Sequence, residues 1–303
     1  MKRPYKITAA IFFIAAVAIA YIWNFRPDLA LAAVYKIYVL RSGLHDAVIS
    51  TPTKSFKIYT GAKSGGAPVL MIHGFGDSRI SFGQTARFLS GKHRLILPDV
   101  PGFGDTPEDP SANHGISSQV SAMKSLLDAM GIKKVTLVGN SMGGHISAAF
   151  TLTHPDLVEK LVVIDPAGLR VDDPNPYADV PSALASDDDF DAYMDKLFFK
   201  RPWIPGPFKR DFIKNANTKF AWLNRLRGEI RADKDYLLND RIAAITIPTL
   251  ILWGRHDRII SAVHAPVWHE KIKGSQLVIW EDAGHSPQYE YPERVGQLLS
   301  EFL

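Results

Sequence analysis

Ser141 stands in TLVGNSMGGHIS (Thr136 to Ser147), between Gly139 and Gly143. A serine so placed is either a nucleophile or a polar residue in a tight turn. To attack a carbonyl at neutral pH, a hydroxyl needs a neighbouring base, an acid that orients the base, and donors for the oxyanion that develops. Two other stretches offer the first two: His285 in EDAGHSP and Asp257 in WGRHDRI, each just beyond a short apolar run. A glycine-rich loop that only packs a helix on a sheet would explain Gly139 and Gly143, where a side chain would crowd the turn. It would not explain His285 and Asp257.

These groups can meet only if the runs before them are neighbouring strands. VLMIH (Val69 to His73), RLILPD (Arg94 to Asp99), VTLVG (Val135 to Gly139), LVVID (Leu161 to Asp165), TLILW (Thr249 to Trp253) and QLVIW (Gln276 to Trp280) are continuously apolar, as strands covered on both faces by helices are. Helical patterns fall between them. Ile116, Val120, Met123, Leu127 and Met130 share one face and Gly131 stops the run, while His145 to Leu152 reads as the first turns of a helix after Ser141. The alternation implies an α/β chain with a mostly parallel sheet. Residues Leu44 to Thr60 can add an antiparallel hairpin at one edge.

The alternation breaks between about Leu169 and Ile245. Val171 to Asp195 holds eight aspartates and no Lys or Arg, and Lys200 to Lys234 holds ten Lys or Arg against three acids, interleaved with Trp203, Phe208, Phe212, Phe220 and Trp222. This is a helical insertion between two strands. Within it, SDDDFDAYMDKLFF predicts a helix capped by Ser186, with aspartates in its first turn and Phe190, Met194 and Leu197 on one face.

Composition narrows the classes. At 303 residues, 46% hydrophobic and 22% charged, the chain is an ordinary globular one. Its net charge of +4 and pI near 9.1 are not gathered into any nucleic-acid motif, so no nucleic-acid partner is expected. The absence of cysteine excludes disulfides, thiolate zinc sites and a Cys nucleophile. No His-Glu-x-x-His occurs and no GxGxxG follows a strand, so neither a metal nor a dinucleotide cofactor is expected.

The N-terminus carries a separate signal. After Lys2, Arg3 and Lys6, nineteen residues from Ile7 to Phe25 carry no charge, enough to span a bilayer as a helix. The positive-inside rule keeps the N-terminus cytoplasmic and places the rest beyond the membrane, which is periplasmic in a Gram-negative cell. Tyr21 and Trp23 fit an interfacial belt, and LALAAVYKIYVL (Leu29 to Leu40) continues as an interface-hugging segment. A cleaved signal peptide is the competing reading, since Ala18-Ile19-Ala20 offers a cleavage site. An uncleaved single-pass anchor accounts better for the apolar run beyond that site.

HGFGDS, DVPGFGDT, GNSMGG, GRHD and GHSP, in this order from about residue 55, resemble the α/β-hydrolases along nearly the whole chain. Ser, then Asp, then His is that family's chain order. The run LVGNSMGG with HPDLVEKLVVIDPAGL is most similar to membrane-anchored monoacylglycerol lipases and related bacterial lipases, and the elbow is also similar to that of meta-cleavage C-C hydrolases. The resemblance implies Ser141 as nucleophile, His285 as general base and then acid, Asp257 as the residue fixing the His285 tautomer, and the backbone N-H groups of Phe75 and Met142 as the oxyanion hole. It implies a lipid or small-molecule ester as substrate and no cofactor. Asp165 also ends a strand, and some members of the family place the acid there. Asp257 is preferred because Pro166 follows Asp165. His73 is expected to brace the oxyanion loop, His145 and His256 to pack or face solvent, and Asp99 and Asp105 to shape the PGFG loop.

The chain thus divides into an anchor and interfacial segment (1–41), a first core part (42–169), a cap insertion (170–243) whose aromatics line an acyl pocket, and a second core part (244–303). The expected activity is that of a serine carboxylic-ester hydrolase. A C-C hydrolase using the same triad and a non-catalytic binding protein on the same scaffold remain as alternatives.

Overall fold

The computed structural model describes residues 21–61, 67–173 and 183–303. Eight strands form one sheet in the order β1-β2-β4-β3-β5-β6-β7-β8. They are β1 (His45–Ser50), β2 (Ser55–Gly61), β3 (Val69–Ile72), β4 (Leu95–Pro98), β5 (Val135–Asn140), β6 (Val158–Ile164), β7 (Thr249–Gly254) and β8 (Gln276–Trp280). β1 and β2 are the expected antiparallel hairpin, β2 also pairs antiparallel with β4, and β3 to β8 run parallel.

The strands are apolar throughout because both faces are covered. Leu70 and Ile72 join a core with Met123, Phe150, Trp253 and Trp268, while Val69 and Met71 join another with Val39, Phe82, Leu89 and Leu299. This is the two-residue alternation of a strand, with apolar groups wanted on both sides. The helices that cover the sheet include α1 (Pro27–Arg41), α2 (Ile116–Ala129), α3 (Met142–Thr153), α7 (His264–Lys271), α8 (Pro287–Glu290) and α9 (Pro292–Phe302).

α3 begins three residues before the expected His145. Gly143 and Gly144 weaken an isolated helix, but tertiary packing decides: a Cβ at Gly143 would stand 2.0 Å from the Ile72 carbonyl oxygen. Only glycine lets α3 start that close to β3.

Between β6 and β7 the chain forms α4 (Asp187–Leu197), α5 (Gly206–Thr218) and α6 (Phe220–Arg231). The sequence cues for α4 hold: Ser186 and Asp189 form a capping box, and Phe190 and Met194 are buried. α6 is clasped to the core. Trp222 Nε1 donates to the Gly102 carbonyl at 2.8 Å, Glu229 accepts from His114 N at 2.8 Å and lies 3.0 Å from His114 Nδ1, and Ser117 Oγ donates to Asp233. α5 leans instead toward the N-terminus, where Trp23 meets Phe208 edge-on at 5.0 Å.

Of the expected membrane span, Ile7 to Ala20 lies outside the described residues. Residues 21–25 are helical, and no helix among the described residues is long and apolar enough to cross a membrane. α1 packs inward through Tyr35 and Val39, while Leu29, Val34, Ile37 and Leu40 on it remain exposed. Apolar residues thus occur both toward the core and toward solvent.

Candidate active site

Every candidate side chain sits on a loop that follows the C-terminal end of a parallel strand. Ser141 lies between β5 and α3 with φ 54 and ψ −117. A non-glycine residue in that region is strained, and such strain persists only where the surroundings hold it. Here Ser141 N donates to the Ile164 carbonyl at 2.9 Å, while Ser141 O accepts from His145 N and Ala167 N.

Asp257 follows β7 and His285 follows β8. His285 Nδ1 donates to Asp257 Oδ2 at 2.7 Å, and both residues are buried. Asp257 Oδ1 accepts from the Ile259 and Ile260 backbone N-H groups at 2.7 and 2.8 Å. Three donors therefore hold one carboxylate, and with the imidazole proton on Nδ1 the Nε2 lone pair is free to accept a proton.

The His285 loop is itself pinned. His285 N donates to the Leu197 carbonyl at the end of α4, and Asn140 Nδ2, next to Ser141, donates to the His285 carbonyl at 3.2 Å. Glu290 accepts from Gly284 N at 2.6 Å and Phe199 N at 2.8 Å, and burial pushes its carboxyl up.

The loop after β3 completes the arrangement. A Cβ on Gly74 would stand 3.4 Å from Ser141 Cβ, so this backbone passes against the serine and carries Phe75 beside it. Met142 opens α3, where an N-H has no partner within the helix. His73 Nε2 accepts from Val100 N at 3.0 Å, which leaves the proton on Nδ1 to donate to the Gly74 carbonyl at 2.8 Å. His73 thus braces this loop. Asp99 is fully buried and accepts from Arg79 N, the Arg79 guanidinium and Asp105 N, so it ties the loop after β3 to the loop after β4.

His145 and His256 are used in packing. Burial pushes His145 down to about 4, and its Nε2 donates to the Asp235 carbonyl at 2.9 Å. His256 stacks on Phe199 at 4.3 Å. Of the aromatics expected to line an acyl pocket, Trp222 is used in the α6 clasp and Trp203 is 85% exposed. A buried indole N-H needs an acceptor, and Gly102 supplies it.

Several contributors carried no signal in the sequence. Asn140 and Glu290 act through backbone atoms of other loops. Tyr289 OH donates to Asp77 at 3.0 Å, linking α8 to the loop after β3. Asp165, considered above only as a rival acid, has φ 46 and lies fully buried against Asp257.

The α/β hydrolase fold family matches residues 67–292 of the chain. Lipase 3 of Moraxella sp. (strain TA144) is 32% identical over 74% of this chain and 73% of its own length. A 2-hydroxy-6-oxononadienedioate/2-hydroxy-6-oxononatrienedioate hydrolase of Klebsiella pneumoniae is 30% identical over 78% of this chain and 86% of its own. The crystal structure of a membrane phospholipase A, described as a bacterial virulence factor, superposes with a TM-score of 0.83 at 27% identity, covering 98% of this chain and 97% of that one.

Proposed function

The chain belongs to the α/β-hydrolase fold family, and from that premise we propose that it is a serine carboxylic-ester hydrolase of the lipase type, with a monoacylglycerol as the preferred substrate. The observation that carries this reading is the His285–Asp257 pair at 2.7 Å, on loops tied to a strained serine turn through Asn140. His285 Nε2 takes the Ser141 proton as Oγ attacks the ester carbonyl. The N-H groups of Phe75 and Met142 receive the oxyanion. The alcohol leaves with the proton from His285, and water activated by the same imidazole then releases the fatty acid.

The helices α4 to α6 act as a cap, so that the acyl chain is held away from water. The uncharged run Ile7 to Phe25 and the exposed apolar residues of α1 support a tether to a membrane, with the catalytic part on the non-cytoplasmic side. A membrane-held enzyme meets a membrane-dissolved ester at high local concentration. Part of the cap's positive charge is used internally, since Lys209 pairs with Asp191 at 2.6 Å and Arg201 lies 3.3 Å from Asp191 and 3.4 Å from Asp195.

Two experiments test the reading. A fluorophosphonate probe should label the protein at Ser141, and p-nitrophenyl esters of increasing acyl length should all be turned over, with a maximum at short to medium chains. The Klebsiella relative makes C-C hydrolysis the alternative with an observation behind it. Negligible turnover of every ester, together with rapid cleavage of a vinylogous dioxo acid, would replace the lipase assignment with that one. In cell fractions the protein should sediment with membranes and resist extraction by 1 M salt, on the order of ten times the ionic strength at which surface charge attraction acts over about 10 Å. Its recovery in the soluble fraction with a new N-terminus at Tyr21 would remove the tether.

A further inference from the structure

We propose that Asp165 is a protonated carboxylic acid whose proton bridges to the Asp257 carboxylate, making it a positioning residue behind the His285–Asp257 pair. The proposal rests on the reading of that pair as catalytic. Asp165 follows β6 as Asp257 follows β7, its neighbour in the sheet, and the two carboxyl groups are in side-chain hydrogen-bond contact. Asp165 is completely buried. Its Oδ1 accepts from Gly254 N at 2.8 Å, whereas its Oδ2, equally buried, has no donor.

Two ionised carboxylates in contact, away from water, repel strongly, and one proton shared between them removes the conflict. The donors decide where it resides. Asp257 receives three N-H groups, two from backbone and one from His285, and Asp165 receives one. The proton therefore stays on Asp165, where Oδ2 becomes a donor to Asp257 and its lack of a partner is resolved. Burial first, and the Asp257 charge second, push the Asp165 carboxyl well up, with Glu290 acting in the same direction. Asp257 and Glu290 are the ionisable groups whose charge acts on it.

The backbone agrees. Ser141 and Asp165 are the two non-glycine residues with positive φ among the described residues. Strain is kept at Asp165 as it is kept at Ser141, where a side chain has to point one way.

The effect on catalysis is indirect. A neutral donor on Asp257 spreads its charge and fixes its plane, so His285 is held firmly. Asp165→Asn presents the same polarity, with its oxygen accepting from Gly254 N and its amide donating to Asp257. It should keep at least one third of kcat/KM and leave the acid limb of the pH profile within 0.2 units, by the limits of ~1 unit that a lost charge partner exceeds. Asp165→Leu removes the donor. It should lower kcat/KM by about tenfold and move the acid limb to higher pH, because an undelocalised Asp257 holds the imidazolium more tightly.

Protonation can be read without activity. At pH 7 the infrared difference spectrum between the native chain and Asp165→Asn should contain the C=O band of one protonated carboxyl, from which Glu290 cancels. A carboxyl raised in the folded state must take up a proton on folding once the unfolded chain has ionised, so the native chain should lose stability relative to Asp165→Asn as pH rises from 4 to 8. If the infrared band is missing, or if Asp165→Asn moves the acid limb down by half a unit or more, Asp165 is ionised and the proposal fails. A leucine variant with the native pH profile and kcat/KM would remove the positioning role. The infrared and asparagine arms do not depend on the leucine variant folding. The infrared and stability measurements also stay readable if Ser141 proves not to be the nucleophile, so the two failures are distinguishable.

Discussion

Ser141→Ala is expected to lower kcat on the best ester by about 10⁴ to 10⁶ while leaving KM nearly unchanged. The covalent route disappears with Oγ, but the N-H groups of Phe75 and Met142 and the acyl-binding surface remain. The fold should survive, because the backbone partners that hold residue 141 at φ 54 are main-chain atoms: Ile164 O, His145 N and Ala167 N. Circular dichroism and the melting temperature should therefore match the native protein, and fluorophosphonate labelling should vanish. More than a tenth of the native activity in the purified variant would reject Ser141 as nucleophile.

Asp257→Asn is expected to cost about 10³ to 10⁴ in kcat. The amide oxygen can still accept from Ile259 and Ile260, so the loop after β7 keeps its shape. The amide NH2 then faces His285 Nδ1, where two donors would meet. The imidazole answers by moving its proton to Nε2, which turns the base away from its task at Ser141. The loss should persist across neutral pH, since no pH in that range restores the charge. Asp165→Asn, one strand away, should do little to activity and act mainly on stability. Exchange of the two outcomes, with Asp165→Asn inactive and Asp257→Asn active, would move the acid to Asp165.

Much of this was legible in the sequence because it rests on local pattern. Six apolar runs became the six parallel strands, and the glycines around Ser141 marked the only kind of residue that fits between β3 and α3. The capping box of α4 was equally local, with Ser186 and Asp189 three residues apart. What escaped was long-range pairing. Nothing near Asn140 announces that its amide meets the His285 carbonyl, and nothing near Glu290 announces the backbone N-H groups of Gly284 and Phe199. Asp165 was visible as a carboxylate at a strand end, but its contact with Asp257 follows from strand order. That α6 is held by Trp222 and Glu229, and the turn after it by Asp233, could not be read either, because all three fall in a basic, aromatic stretch with no local sign of their partners.

The order of the strands also sets a clock. The serine turn needs β3, β5 and β6 around it, all made early, but its base follows β8, after the three helices and β7 have emerged. At about 5 to 20 residues per second, synthesis leaves an interval on the order of ten seconds in which the turn exists and the imidazole does not. During that interval the proposed base is missing, and the nascent chain is expected to be inactive. A hydrolase whose proposed base lies this near the end of its chain is thus expected to stay inert until almost all of it has been made.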